Sequence, residues 1–244
     1  MLFAIGLVAS FLGTLAGGAG LLTLPTLLML GLPIQSAIGI NKFCGFVSSL
    51  SGIPFVLKHK DMTIRELMLT AFIGLIGGVL GAVITSHLSA DTMNVVAFVL
   101  LLFAFLITIR KQSISPSSKQ LKHKPLADSF TNAFTAVYDG AFGPGSATLI
   151  IMYWIKVGKT YMEAIQRSRM LILGSGFGSF LVFERTGHID WDWALAMGGA
   201  YVLGTQLALA VLPRIQQKLA KAFLLTITGV LLVQIGWELL NSNK

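Results

Sequence analysis

The feature that most constrains this chain is a succession of apolar runs, at 2–16, 21–31, 34–57, 64–87, 92–109, 129–141, 146–157, 160–184, 191–212 and 218–239, each bounded by glycine, proline or a few polar residues. A bilayer core of about 30 Å needs roughly 20 apolar residues per helix. Runs of this number and length therefore specify an all-α, polytopic integral membrane protein. Composition agrees: 55% of the 244 residues are hydrophobic and only 11% charged, against about 25% charged in a soluble domain. The length accommodates roughly six to eight crossings with short loops and no soluble domain, so any binding chemistry must lie among the helices.

Four runs are too short to cross alone, and they come in two pairs broken by glycine. Gly17-Gly18-Ala19-Gly20 separates 2–16 from 21–31, and Gly143-Pro144-Gly145 separates 129–141 from 146–157. Each pair reads as a broken helix or a re-entrant hairpin. Between the halves, Arg110 to Asp128 is the long hydrophilic segment, rich in Ser and Lys with Pro116 and Pro125, as expected of a linker. On both sides of it the features follow one order. The first half reads Gly18, Thr23, Ala37, Asn41-Lys42, His59-Lys60-Asp61; the second reads Gly143, Thr148, Ala164, Ser168-Arg169, His188-Ile189-Asp190. The offset runs only from 125 (Gly18 to Gly143) to 129 (His59 to His188), which points to an internal duplication. The expected organisation is a first membrane repeat over 1–109, a cytoplasmic linker over 110–128 and a second membrane repeat over 129–244.

Lysine and arginine set the expected orientation. The 58–65 loop holds Lys58, Lys60 and Arg65, the 87–91 loop none, and the linker Arg110, Lys111, Lys119, Lys122 and Lys124, which puts the linker and the 58–65 loop in the cytoplasm. In the second half the 184–190 loop holds only Arg185. The 213–221 loop holds Arg214, Lys218 and Lys221, and the 156–159 turn holds Lys156 and Lys159. The bias has changed sides, as it does if each repeat has a glycine-broken or re-entrant helix plus three transmembrane helices, so that the second copy is inverted. Eight plain crossings are the competing arrangement.

The net charge of +8 lies in short inter-helix loops, a pattern of topology determinants that excludes a nucleic-acid stripe. Cys44, the single cysteine, falls inside an apolar run and reads as a buried free thiol. The start of the chain lacks a positive leader and a cleavage site, so the first run reads as a retained segment. His59 and His188 sit in turns with no second ligand at metal-binding spacing, and no hydrolase triad, zincin helix or phosphate loop is present. No metal, cofactor or enzymatic activity is expected.

A glycine break inside a membrane must be buried in protein or line a cavity. Each break here precedes a half-helix, so free N–H groups and the positive helix end converge near mid-membrane, where two facing ends would receive an anion. The candidate binding residues are Gly17, Gly18, Gly20 and Thr23 in the first half and Gly143, Gly145 and Ser146, with Thr148, in the second. Ordinary close packing through small residues is the alternative use of these glycines. Charges inside apolar runs cost at least about 2.5 to 3.5 kcal/mol each when inserted. Lys42 with Asn41, and Arg169 with Ser168, occupy equivalent places, and all can donate to an oxyanion; snorkelling is the alternative for Lys42. Arg167 and Arg169 are about 200° apart on a helix, so one faces inward, and the alignment with Lys42 favours Arg169. Asp139, the acid deep in a run, could pair with Lys42 or Arg169 or serve proton coupling. Glu163, Glu184, Asp190 and Asp192 fall at helix ends, where capping or solvation is the default.

The glycine tract through Leu21-Leu22-Thr23-Leu24-Pro25, Gly39-Ile40-Asn41-Lys42 and Gly187-His188-Ile189-Asp190-Trp191 resemble the sulfite exporter TauE/SafE family, and Tyr138-Asp139-Gly140-Ala141-Phe142-Gly143-Pro144-Gly145 resembles the second-repeat sequence of its YfcA-like branch. The resemblance covers nearly the whole chain. It implies a two-repeat secondary transporter for sulfite, organosulfonates or related sulfur-containing anions in the bacterial inner (cytoplasmic) membrane. It carries over to Gly17, Gly18, Gly20, Asn41, Lys42, Asp139, Gly143 and Gly145. Ala19, and Gln166-Arg167-Ser168-Arg169 in place of a small polar run, depart from the family pattern.

The expected function is thus alternating-access transport of a small anion, with membrane lipid as surroundings, proton coupling and homo-oligomerisation open, and no nucleic-acid partner. A passive anion or small-solute channel and a membrane scaffold are the alternatives. The inverted arrangement puts the 213–221 loop beside the linker in the cytoplasm. Cysteine introduced at Gln216 in a Cys44→Ser background should resist an impermeant maleimide in intact cells, whereas ready labelling would favour eight plain crossings.

Overall fold

A computed structural model describes residues 1–59, 62–110 and 125–212, with Thr226 and Gly229. Ten helices follow in order among these residues: α1 (Leu2–Ala16), α2 (Gly20–Met29), α3 (Ile34–Ser51), α4 (Ile53–His59), α5 (Ile64–Ser86), α6 (Ala90–Arg110), α7 (Pro125–Ala141), α8 (Ser146–Lys156), α9 (Tyr161–Arg185) and α10 (Trp191–Val211). No strand occurs among the described residues. The fold is all-helical, and three stretches, Ile34–Lys58, Ile64–Ser86 and Trp191–Val211, are long and apolar enough to cross a membrane. The expected last run at 218–239, most of the linker and the 213–221 loop lie outside the described residues.

The expected breaks fall where glycine predicts them. α1 ends at Gly17 with φ of 76°, and Gly18 follows at 104°. In the second half Gly143 has φ of 106° and Gly145 of 85°, conformations that glycine adopts without a Cβ penalty. The following half-helices have 10 and 11 residues, or about 15 Å each at 1.5 Å per residue, half a bilayer core. The run at 34–57 departs from expectation. Gly52 interrupts it between α3 and α4, and a Cβ at Gly52 would lie 2.4 Å from Arg169 Nη1, so the missing side chain makes room for a guanidinium. At the hydrophilic stretch, α6 continues to Arg110 and α7 begins at Pro125, a residue suited to a helix's first position because it lacks the N–H that would go unpaired there.

Helix ends facing water use ordinary caps. Thr63 with Glu66 and Thr160 with Glu163 form reciprocal capping boxes, and Asp190 accepts the Trp193 N–H. Glu163 and Asp190 are therefore structural acids, as their positions implied.

Packing between helices is reciprocal across the halves. α5 lies against α7 as α10 lies against α1; α5 also packs on α9, and α10 on α3; α3 and α9 meet each other. Small residues make the approach possible. A Cβ on Gly78 would sit 2.2 Å from Ser175 O, one on Gly81 2.2 Å from Val137 O, and one on Gly204 2.4 Å from Leu7 O. Opposite this glycine face, α5 exposes Met68, Phe72, Ile76 and Leu80 at every fourth position. Small residues inward and large apolar residues outward is how a membrane helix packs, because lipid solvates the large side chains as well as protein does. Gly78→Ala should therefore force α5 and α9 apart and destabilise the protein by roughly 1 to 3 kcal/mol, the usual cost of overpacking. Gly199→Ala, where a Cβ would meet nothing within 4 Å, should be neutral; the readout is thermal unfolding in detergent.

Candidate functional site

The two breaks meet. A Cβ placed on Gly17 would lie 3.1 Å from Thr148 Oγ1, and one on Gly20 would lie 3.3 Å from Pro144 Cα. The starts of α2 and α8 are thereby brought together beside α3 and α9, around a cavity of about 100 Å³, room enough for several water molecules or a small solute. Neither half-helix has a side-chain cap at its N-cap residue, Ala19 or Gly145. The N–H groups of Leu21, Leu22 and Ser146 turn back to the carbonyls of Gly18, Ala19 and Gly143, so what the two starts offer the cavity is chiefly the positive end of each helix dipole.

Of the residues singled out in the sequence, Gly17, Gly18, Gly20, Asn41 and Lys42 line this cavity from the first half. Asp139, Gly143, Ser146, Ser168 and Arg169 line it from the second. Thr23 and Gly145 are not among the lining residues. The Thr23 hydroxyl accepts from Tyr201 OH (2.9 Å) and has its single hydrogen within reach of both Asn41 Oδ1 (2.9 Å) and Ala19 O (3.0 Å), so it stands behind Asn41 and helps to aim its amide. The Asn41 Nδ2 group consequently points to the breaks: a Cβ on Gly20 would come 3.1 Å from it. Gly145 turns toward α6, where its Cβ would meet Ala104 at 2.8 Å.

Lys42 is buried and paired, so it does not snorkel. Its Nζ lies 3.2 Å from Asp139 Oδ1, with side chains 3% and 5% exposed. Ser146 Oγ donates to Asp139 Oδ1 and Ser175 Oγ to Oδ2, each at 2.5 Å. The carboxylate thus ties α3, α8 and α9 to the end of α7. Gly143 is required here for a second reason besides its φ: its Cβ would lie 2.4 Å from Lys42 Nζ. Tyr138 OH donates to Pro144 O (2.7 Å) and Thr85 Oγ1 to Ala141 O (2.7 Å), which fixes the loop leading into α8.

Arg169 sits differently. Its Nη2 donates to Thr14 Oγ1 (3.1 Å) and its Nη1 to Ser48 O (3.4 Å), and among the described residues no carboxylate pairs with it. Its residue is only 7% exposed. Arg167 turns away from the cavity as the helix geometry requires, to Glu66 Oε1 at 3.2 Å and over the Trp154 ring at 4.3 Å; it stays buried by these two contacts. Thr148 is buried against Gly17 with its hydroxyl unpartnered.

Sequence reasoning missed Thr14, Ser48, Gly52 and Ser175. The duplication contained the signal for three of them. Thr14 stands four residues before Gly18 as Asp139 stands four before Gly143, and Ser48 precedes Ser175 by 127 residues, the same offset that separates Lys42 from Arg169. Gly52 had none, since its role is set by where the Arg169 guanidinium ends.

Residues 2–235 match the family model described as sulfite exporter TauE/SafE. The chain is 26% identical over 236 residues to the "Probable membrane transporter protein ORF9" of Sinorhizobium sp, covering 96% of this chain and 90% of the relative. It is 27% identical to a "Probable membrane transporter protein" of Haemophilus influenzae, over 85% and 82% of the two chains. With the "Probable membrane transporter protein YfcA" of Escherichia coli K12 it shares 22% identity over 98% and 89%. No solved structure matches it.

The ion pair at the cavity wall can be tested by itself. Removing one partner leaves a buried charge uncompensated, at a cost of about 3 to 5 kcal/mol, whereas replacing both by apolar side chains is far better tolerated. Lys42→Met and Asp139→Leu should each lower the unfolding temperature in detergent markedly, and the double variant should regain at least half of either loss. Additive losses would mean that the two groups do not act as a pair.

Proposed function

The chain belongs to the sulfite exporter TauE/SafE family, and on that footing we propose that it is a secondary transporter of small anions, with sulfite, an organosulfonate or a related sulfur-containing anion as cargo. It is a multi-pass protein of the bacterial inner membrane, related to membrane transporters and not to enzymes. The observation that carries the anion reading is Arg169: a buried guanidinium with no carboxylate paired to it among the described residues, lining the same cavity as the starts of two half-helices that also offer positive charge. In a cavity with little water each of these attractions is stronger than in bulk solvent. Asn41 Nδ2 and the Ser168 hydroxyl add neutral donors, and the Lys42 ammonium lies close by with its charge balanced by Asp139.

The reciprocal packing of α5 with α7 and α10 with α1 supports two inverted repeats that rock about the shared α3–α9 contact. Alternating access would open the cavity first to one side and then to the other, and proton coupling would supply the drive. Relatives named as transporters do not favour a passive channel.

Reconstituted in proteoliposomes, the protein should move labelled sulfite or a small sulfonate against its gradient, and collapsing the proton gradient should abolish this. Arg169→Met should weaken anion binding by tenfold or more, in line with the roughly 1.5 to 3 kcal/mol of a hydrogen bond to a charged group. Gly18→Val and Gly143→Val should do comparable damage by filling the breaks, and the exposed Arg185→Met should do little. Near-wild-type binding in folded Arg169→Met protein would remove the proposed site.

A further inference from the structure

The contact between a cation on the long helix of one half and the residue four positions before the glycine break of the other half is made twice. Lys42 on α3 meets Asp139 on α7 at 3.2 Å, and Arg169 on α9 meets Thr14 on α1 at 3.1 Å. The first contact joins ammonium to carboxylate. The second joins guanidinium to hydroxyl. The serines 127 residues apart differ in what they contact: the Ser175 hydroxyl donates to Asp139, whereas the Ser48 backbone carbonyl accepts from Arg169. The two halves thus differ at one position in a way that changes the charge of the shared cavity.

Resting on the anion reading above, we propose that this difference sets the valence of the cargo, so that the cavity receives singly charged oxyanions such as a sulfonate or hydrogensulfite in preference to dianions. Among the described residues the charged side chains of the lining are Lys42 at +1, Asp139 at −1 and Arg169 at +1, a sum of +1. The Arg167–Glu66 pair lies outside the lining and sums to zero. A monoanion balances this side-chain sum, the two half-helix ends adding the same partial positive charge in every variant. A dianion exceeds this sum by one negative charge, and charge without a partner away from bulk solvent is strongly disfavoured. Asp139 therefore acts on specificity by cancelling Lys42, and Thr14 acts by failing to cancel Arg169. Had both halves the carboxylate, the side-chain sum would be zero; had both the hydroxyl, it would be +2 and suit a dianion.

Perchlorate and sulfate test this, being tetrahedral XO4 ions of similar size that differ in charge. Their affinities are measured by calorimetry on the purified full-length protein in detergent, at one pH and ionic strength, for wild type, Asp139→Asn, Thr14→Asp and Thr14→Asn. Sulfate is also the more strongly hydrated ion, so the decisive quantity is the change in the perchlorate-to-sulfate affinity ratio between variants. Asp139→Asn raises the sum to +2 and should shift the ratio toward sulfate by at least tenfold. Thr14→Asp lowers the sum to zero while leaving the Lys42–Asp139 pair intact, and should weaken both anions at least tenfold. Thr14→Asn, similar in size and neutral, should leave the ratio unchanged. If Asp139→Asn elutes aggregated in size exclusion, Thr14→Asp alone decides. Undiminished binding by folded Thr14→Asp, or an unchanged ratio in folded Asp139→Asn, overturns the valence assignment while leaving the anion site standing. Wild type that binds neither ion overturns the anion site itself and the valence assignment with it.

Discussion

Everything near the centre of this protein depends on one buried ion pair, Lys42 with Asp139. Neither charge can be left alone away from water, so the chain must bring α3 of the first half against the end of α7 in the second. Burial of such a pair gives little net stability, because desolvation offsets the attraction, but it strongly penalises arrangements in which the partners separate. The carboxylate also accepts from Ser146 at the start of α8 and from Ser175 in α9. One side chain therefore sets the register of four helices and holds the second glycine break in place. Gly143 completes this arrangement, since any Cβ there would collide with the ammonium.

The opposite corner of the cavity has the same geometry with different chemistry. Thr14 satisfies one guanidinium N–H of Arg169 without neutralising it, and the Ser48 carbonyl takes another. Two half-helix starts add their own positive ends, fixed by backbone and not by mobile side chains. Such ends need no rearrangement when a ligand arrives, which reduces the ordering cost of binding. Asn41 is similarly pre-set, its amide aimed by Thr23, which is in turn held by Tyr201.

Glycine serves two separate purposes in this chain. On α5, α7 and α9 it lets backbones approach until one helix's carbonyls touch another's Cα atoms, as at Gly78 with Gly140 and Ser175. At Gly17, Gly18, Gly143 and Gly145 it permits left-handed backbone that ends one helix and allows another to begin inside the membrane. The first use rigidifies the bundle. The second interrupts the ladder of helical hydrogen bonds, and such a break is tolerable in a membrane only where protein surrounds it or a cavity adjoins it.

By itself the sequence determined the class of fold, most helix positions, both breaks and the pairing of cationic patches. These are local properties: the length of an apolar run, the φ that only glycine adopts freely, the cost of a charge among apolar neighbours. The duplicated order of features extended this to equivalence between Lys42 and Arg169, though not to the fact that one is neutralised and the other is not. The 100° step of a helix required that Arg167 and Arg169 face different ways, and the alignment with Lys42 chose Arg169 as the inward one. The rest belongs to tertiary structure, because it depends on contacts between residues far apart in the chain. Asp139 could have met either cation, and only the packing of α3 against α7 gives it to Lys42. Thr23 looked like a donor to ligand, yet the approach of Tyr201 from α10, 178 residues away, commits its hydroxyl to Asn41 and the Ala19 carbonyl. Gly52 read as an interior residue of one run, and the reach of Arg169 across from α9 is what leaves no room for a side chain there.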